Sequence, residues 1–259
     1  MTADPLAREA IVELAQSLVR IPSISGDEKQ IMAWVRDWAE RNSIACQEVV
    51  RDPDRPNLIL SVGNLDAGPL LCMNGHLDTV PVSDPDQWRT GPFEAAVSDD
   101  GRRLYGRGAS DMKSSVAVML SMMLAFRDRP LQGCLQAHVV SDEELSGNFG
   151  TIAVIEAIDR GELRRPDYCL IGEKSDLKVR NAERGILAID VIVHGRASHT
   201  AAARATGINA IMLASKAIVA LEQHLDAYHP SVGKPVISIN MISGGVAHNV
   251  VPGECKFSI

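Results

Sequence analysis

The chain has 259 residues, 46% hydrophobic and 23% charged, enough to bury a large core in one big domain or two moderate ones. Its net charge of −7 argues against nucleic acid or an acidic membrane surface as partner. The N-terminal segment alternates charged and apolar residues at helical spacing, unlike a signal peptide. No apolar run reaches membrane-spanning length, so the chain reads as cytoplasmic.

Five cysteines (Cys46, Cys72, Cys134, Cys169 and Cys255) are widely spaced and form no CxxC pair. Four lie in apolar, strand-like runs, so they read as buried free thiols of a reducing compartment rather than nucleophiles or disulfides.

In chain order, Leu6, Ala10, Ile11, Leu14, Leu18 and Val19 predict an amphipathic helix over residues 5–20, ended by Pro22 and the SISGD stretch. Ile31, Trp34, Val35 and Trp38 predict a second helix over 27–42. Strands are expected near 45–50, 57–62 and 69–74; the last contains LLCMN, apolar throughout, as in a strand covered on both faces. Residues 84–103, rich in Asp, Pro and Gly, read as a loop. An apolar helix follows over 113–127, in which Met119, Met122 and Met123 read as core filler. A strand at 133–140, a helix at 148–160 and a strand at 167–172 complete a βα alternation. That alternation implies an α/β fold, a mainly parallel sheet flanked by helices on both faces. Such sheets collect ligands at the carboxyl ends of their strands.

The texture changes after about residue 183. ILAIDVIVHG alternates with period two. Residues 206–225 carry Ala210, Leu213, Ala214, Ala217, Ile218 and Leu221 on one helical face. VISINMISGG reads as a strand and ECKFSI opens another. The order predicts a smaller two-layer α+β domain over 184–259 beside a first domain over 1–183.

Four segments close apolar runs with acid or imidazole groups: NGHLDTVP at 74–81, YGRGASDMKS at 105–114, SDEELSG at 141–147 and IGEKSD at 171–176. One imidazole and several carboxylates suit a site for two divalent ions, zinc by donor type, and such a site activates water for hydrolysis. His76 and Asp78 lie two apart and point the same way in extended backbone. Asp78 is thus a candidate acceptor for the ring nitrogen a metal would not use, with a structural or solvated His as the plainer alternative. Asp111 follows a glycine-rich turn and precedes a helix, so it is a candidate N-cap as well as a candidate bridging carboxylate. Asp142, Glu143 and Glu144 resemble a solvated acidic loop, yet they close the apolar strand CLQAHVV. Adjacent side chains diverge in extended backbone, so one can bind metal while its neighbour acts as general base. Glu173 is a further strand-end acid. His199, after a strand in GRASHTA, is either an exposed loop residue or a donor to a developing oxyanion. No nucleophile elbow, P-loop or dinucleotide fingerprint is present.

Taken in order, GHLDTVP, GRGASDMK, SDEELSG, the GE pair at 172–173, GRASH and GGVAHNVVPGE resemble the M20 metallopeptidases, above all their acetylornithine deacetylase and succinyl-diaminopimelate desuccinylase branch. The resemblance runs from about residue 6 to the last residue. It implies a zinc-peptidase-like catalytic domain and a lid domain that also forms a homodimer. It implies two Zn2+ ions, with Co2+ or Mn2+ as substitutes. By resemblance, His76 and Glu173 bind one ion, Asp111 bridges, and Glu144 binds the second. Glu143 is the general acid/base and Asp78 orients His76. His199 stabilises the oxyanion, Arg184 and Asn249 contact substrate, and Asp111–Met112 is a candidate cis peptide. The implied substrate is an N-acyl amino acid or a short peptide. Lys174, where the family commonly has Pro, and AAARATG after His199 depart from the pattern. Family members continue past KFSI and draw a further His ligand from there, for which His138, His194, His224, His229 and His248 are poor substitutes. Two expectations follow: a zinc-dependent amidohydrolase, or a truncated, catalytically incompetent chain acting at most as a binding or assembly module.

Overall fold

The structure is a computed structural model and describes residues 4–222 and 227–259. The first two amphipathic segments form α1 (Arg8–Val19) and α2 (Lys29–Arg41), which bury Leu18, Val19, Ile31, Met32 and Val35 completely. A hairpin follows, β1 (Ala45–Val49) and β2 (Asn57–Gly63), then β3 (Leu70–His76). The stretch expected as loop contains a short helical turn, Pro85–Gln87, and two paired two-residue strands, β4 (Ala96–Val97) and β5 (Leu104–Tyr105). A wide turn, Ala109–Lys113, leads into α3 (Ser114–Phe126), followed by β6 (Cys134–Val140), α4 (Thr151–Asp159) and β7 (Tyr168–Ile171). These elements lie in one compact unit, Met1–Leu177; a second comprises Lys178–Ile259.

The sheet of the first unit runs β1-β2-β6-β3-β7. It is mixed: β3 pairs in parallel with β6 and β7, whereas β1–β2 and β2–β6 are antiparallel. The short β1–β2 connection has no room for a crossover helix, so that pair is a hairpin. The parallel strands β3, β6 and β7 lead into three of the four acid and imidazole segments; the fourth, with Asp111, lies in the turn before α3. One face packs Leu58, Leu60, Met73, Ala137 and Val139 against α1, α2 and α3; the other packs Ile59 and Val140 against Val154 and Ala157 of α4. Each fully buried Leu, Val or Met contributes about 1.5–3 kcal/mol. Met119 and Met123 lie in this core, as the sequence predicts. Leu71 is 40% exposed, so β3 is not covered along its whole length. All five cysteines are free; Cys72, Cys134 and Cys255 are buried, but Cys169 is exposed because β7 is an edge strand.

Lys113 is fully buried and donates from Nζ to the Leu18 and Ile21 carbonyls, 3.1 and 2.7 Å away. It satisfies acceptors left open where α1 ends. That bond ties the Ala109–Lys113 turn to α1.

In the second unit β8 (Asp190–His194), β9 (Ser198–His199), α5 (Ala203–Thr206), α6 (Ala210–Glu222), β10 (Met241–Gly244), β11 (Val250–Val251) and β12 (Glu254–Ser258) follow in order. An antiparallel sheet β10-β12-β8 packs Cys255 and Phe257 against Ala210 and Ala214 of α6, and β9 pairs separately with β11. The two long strands expected here are shorter in the fold. β12 offers partners only for residues 190–194 and 241–244, and Ile186 and Leu187 before them are exposed. Gly207 breaks the helix expected from 206, and its final residues 223–225, with His224, lie outside the described residues. Among the described residues no helix is long and apolar enough to cross a membrane.

Candidate metal centre

His76 ends β3, in parallel register with Val140 at the end of β6, so the carboxyl ends of these strands share one edge. Its ring is 1% exposed. Nδ1 lies 3.0 Å from the Asp78 carbonyl and 3.3 Å from Asp78 Oδ1, which leaves Nε2 facing the opposite way. Around Nε2 stand Asp111 Oδ1 at 3.2 Å, Glu173 Oε1 at 3.3 Å and Glu143 Oε2 at 3.6 Å.

Asp78 is buried and serves both sides of the site. Its Oδ1 accepts the Glu143 amide and its Oδ2 the Glu144 amide, each at 3.0 Å, and Ser25 Oγ donates to Oδ2 at 2.7 Å. The backbone at the acid pair is therefore a turn, not the extended strand that the sequence suggests. It begins at Asp142, whose φ is +65°, and both following amides point at one carboxylate. The turn, rather than the alternation of a strand, sets the directions of Glu143 and Glu144.

Asp111 does not cap α3, which has no side-chain N-cap. Its carboxylate faces His76 and forms a close ion pair with Lys174. Asp111 and Met112 leave helical geometry and the peptide between them is cis, the bond the resemblance singles out. Gly75 and Gly172 flank this turn closely: a Cβ at Gly75 would lie 2.8 Å from Met112 Cε, and one at Gly172 2.9 Å from the same atom. A larger residue at either position would displace the Met112 and Met119 side-chain ends that pack there.

Burial alone would lower the pKa of His76, but Asp78, Glu173 and Glu143 outweigh it and push it up to about 11. Asp78 and Asp111 are held below the usual carboxylate range despite burial, the first by His76 and Ser25, the second by Lys174 and His76. Glu143 and Glu144 are raised, first by burial and then by neighbouring carboxylates, Glu173 for Glu143 and Asp111 for Glu144. Five carboxylates thus converge on one imidazole and one lysine. This surplus of oxygen donors with a single buried nitrogen, held from behind by an acceptor, fits divalent cations.

Ligand atoms within 4.8 Å of one another form two groups, His76/Glu143/Glu173 and His76/Asp111/Glu144. These unite all five residues that the sequence proposes as ligands or base. The grouping differs from the resemblance in one respect: Asp111 stands with Glu144 while Glu143 stands with Glu173.

His199, Asn249 and Arg184 belong to the second unit. His199 Nδ1 accepts from the Ala201 amide at 3.2 Å, leaving Nε2 uncommitted. The Asn249 carbonyl accepts from the Thr200 amide at 3.0 Å, and Val250 pairs with His199, so β9 and β11 hold His199 and Asn249 side by side. Arg184 Nε donates to the Val232 carbonyl at 3.0 Å. Lys174, Ser25 and Arg55 also bear on the site. In the sequence Lys174 stands out only as a departure from a family pattern, and nothing local to Ser25 or Arg55 signals their distant partners.

Residues 72–240 match the family model described as Peptidase family M20/M25/M40. The chain is 37% identical over 201 residues to the succinyl-diaminopimelate desuccinylase of Methylorubrum extorquens, covering 73% of this chain and 51% of that protein. It is 34% identical over 259 residues to the enzyme of the same name from Ectopseudomonas mendocina, covering 95% of this chain and 65% of that one. The chain therefore spans between about half and two thirds of the length of these relatives. A crystal structure of a tripeptidase from Staphylococcus aureus superposes with a TM-score of 0.68 at 23% identity, over 97% of this chain and 65% of that one, a likeness of fold.

Proposed function

The chain belongs to peptidase family M20/M25/M40, and we propose that the protein hydrolyses the amide bond of an N-acyl amino acid or small peptide with metal-activated water. The observation that carries this is the buried His76, with Nδ1 held by Asp78 and Nε2 facing Asp111, Glu143 and Glu173. His76, Glu173 and Asp111 would hold one divalent ion, and Asp111 and Glu144 would contribute to a second. The mixed imidazole and carboxylate set suits Zn2+, with Co2+ or Mn2+ as substitutes. When bound, such ions polarise the scissile carbonyl and make water acidic enough to attack near neutral pH.

This chain's own residues supply the rest. Asp78 fixes the His76 ring orientation. Glu143, its proton affinity raised by burial and neighbouring acids, takes a proton from the attacking water and passes it to the leaving amine. His199 Nε2 donates to the developing oxyanion, and Arg184 and Asn249 contact the substrate. Residues 1–183 act as the catalytic part and 184–259 as a lid that also forms a homodimer, in a cytoplasmic protein without nucleic-acid or membrane partners.

Metal analysis of the purified protein and hydrolysis of a panel of N-acyl amino acids, N-succinyl compounds included, test this reading. Glu143→Gln should retain metal and lose about 100-fold or more in kcat. Wild-type turnover in that variant would refute Glu143 as the base.

A further inference from the structure

Arg55 lies on the β1–β2 connection and takes no part in the reaction proposed above. Yet it is nine-tenths buried between two buried carboxylates, Glu28 and Asp142. Nε and Nη2 donate to the two oxygens of Glu28 at 3.2 and 3.1 Å, and Nη2 also donates to Asp142 Oδ1 at 2.5 Å. The guanidinium lies 4.8 Å from the centre of the Phe149 ring. The other Asp142 oxygen accepts the Phe149 amide at 3.0 Å and Ser146 Oγ at 3.3 Å. The Asp142 carbonyl accepts the Ser146 and Gly147 amides. Every polar group of Asp142 is thereby committed, its own amide reaching Glu28 Oε1 at 3.3 Å.

These bonds close a ring. Glu28 accepts the Gly26 amide, and Ser25 next to it donates to Asp78. Asp78 holds the amides of Glu143 and Glu144, which follow directly on Asp142. The acid pair is gripped from ahead by Asp78 and from behind by Arg55 through Asp142. A left-handed residue such as Asp142 costs energy in isolation and persists only where its surroundings hold it.

We propose that Arg55 is a positioning residue: through Asp142 it fixes the turn that directs Glu143 and Glu144 at the metal ligands. A planar fork bonded to two carboxylates suits this role, and a lysine cannot reproduce it. The proposal rests on Glu143 and Glu144 acting as base and ligand.

The test uses the whole protein and variants verified as folded by circular dichroism. Arg55→Met should lower kcat by about 100-fold while KM changes by less than about threefold, because a misdirected base loses rate rather than binding. Arg55→Lys should recover part of the loss. Hydrogen exchange at the Glu143, Glu144 and Phe149 amides should quicken in Arg55→Met, with α1 and α3 as protected as before. Wild-type kcat, or unchanged exchange at those three amides, overturns the proposal. Asp142→Asn serves if Arg55→Met does not fold; it should show the same kcat loss and the same faster exchange, and wild-type behaviour overturns the proposal. Where both variants fold, the double variant should lose no more than either single one; additive losses refute action through Asp142. If Glu143→Gln keeps its turnover, the assignment of Glu143 as the base falls, whereas the exchange measurement still decides the role of Arg55.

Discussion

Gly150 offers a sharp test of how the acid turn is held. An ideal Cβ there would lie 1.8 Å from the Ser141 carbonyl oxygen and 3.0 Å from its carbon, both backbone atoms that no rotamer change can move. Relieving the contact needs a shift of about 1 Å or more. Ser141 cannot yield freely: its amide donates to Asn57 Oδ1 at 3.1 Å and its Oγ to the Pro56 carbonyl at 2.8 Å. On the other side, the Gly150 amide bonds Gly147 and its carbonyl accepts Val154 at the start of α4. Overpacking of this size costs about 1–3 kcal/mol, and each hydrogen bond sacrificed adds about 1 kcal/mol. Gly150→Ala should therefore destabilise by about 3 kcal/mol, a fall in Tm of roughly 6–12 °C. Because Ser141 leads into Asp142, turnover of the folded variant should also drop by about 10-fold or more. Thermal melts and initial rates well below the melting range measure the two effects. Gly161, with φ +76° and open space around it, is the control: Gly161→Ala should cost about 1 kcal/mol from backbone strain alone and leave kcat unchanged. A Gly150→Ala variant within about 1 °C of the wild type, with full turnover, would refute the steric argument.

Two further outcomes follow from the same geometry. His138, flanked in β2 and β3 by Ile59 and Asn74 and hydrogen-bonded to Gln136, has its pKa lowered by burial to about 4. It is neutral when folded, and the unfolded chain binds the extra proton below about pH 6.5. Its contribution is therefore intact above pH 6.5 and is lost as pH falls toward 4, about 1.4 kcal/mol per pH unit and about 3 kcal/mol in all. Urea unfolding should show that slope in the wild type relative to His138→Gln; parallel curves across pH 4–6.5 would contradict it. Separately, Zn2+ at about 100 times its Kd should raise stability by about 2.7 kcal/mol, and a chelator should reverse the gain. His76→Ala should abolish it, and an equal Tm rise in that variant would place the ion elsewhere.

Much of the architecture is legible along the chain because the signals are local. The 3.6-residue spacing of Leu14, Leu18, Ile31 and Val35 places α1 and α2, and the unbroken apolar run of β6 marks a buried strand. The order of His76, Glu144 and Glu173 after strand-like runs, with Asp111 at the start of a helix, also proposes a shared site before any coordinates are drawn. Sheet order was less accessible. The antiparallel pairing of β2 with β6 joins segments far apart in sequence, and periodicity carries no information about which strand is the neighbour.

The sequence determined which residue types are available and where helices and strands begin, since both follow from side-chain chemistry and short-range spacing. Tertiary structure alone decided how the acids are aimed. An isolated Asp-Glu-Glu run reads as a solvated loop. It becomes a directed pair because Asp78, 65 positions from Glu143, receives its amide, and Arg55, 87 positions from Asp142, bonds its carboxylate. Such bonds form only after the sheet has brought β3, β6 and the β1–β2 connection together, so no local pattern can encode them.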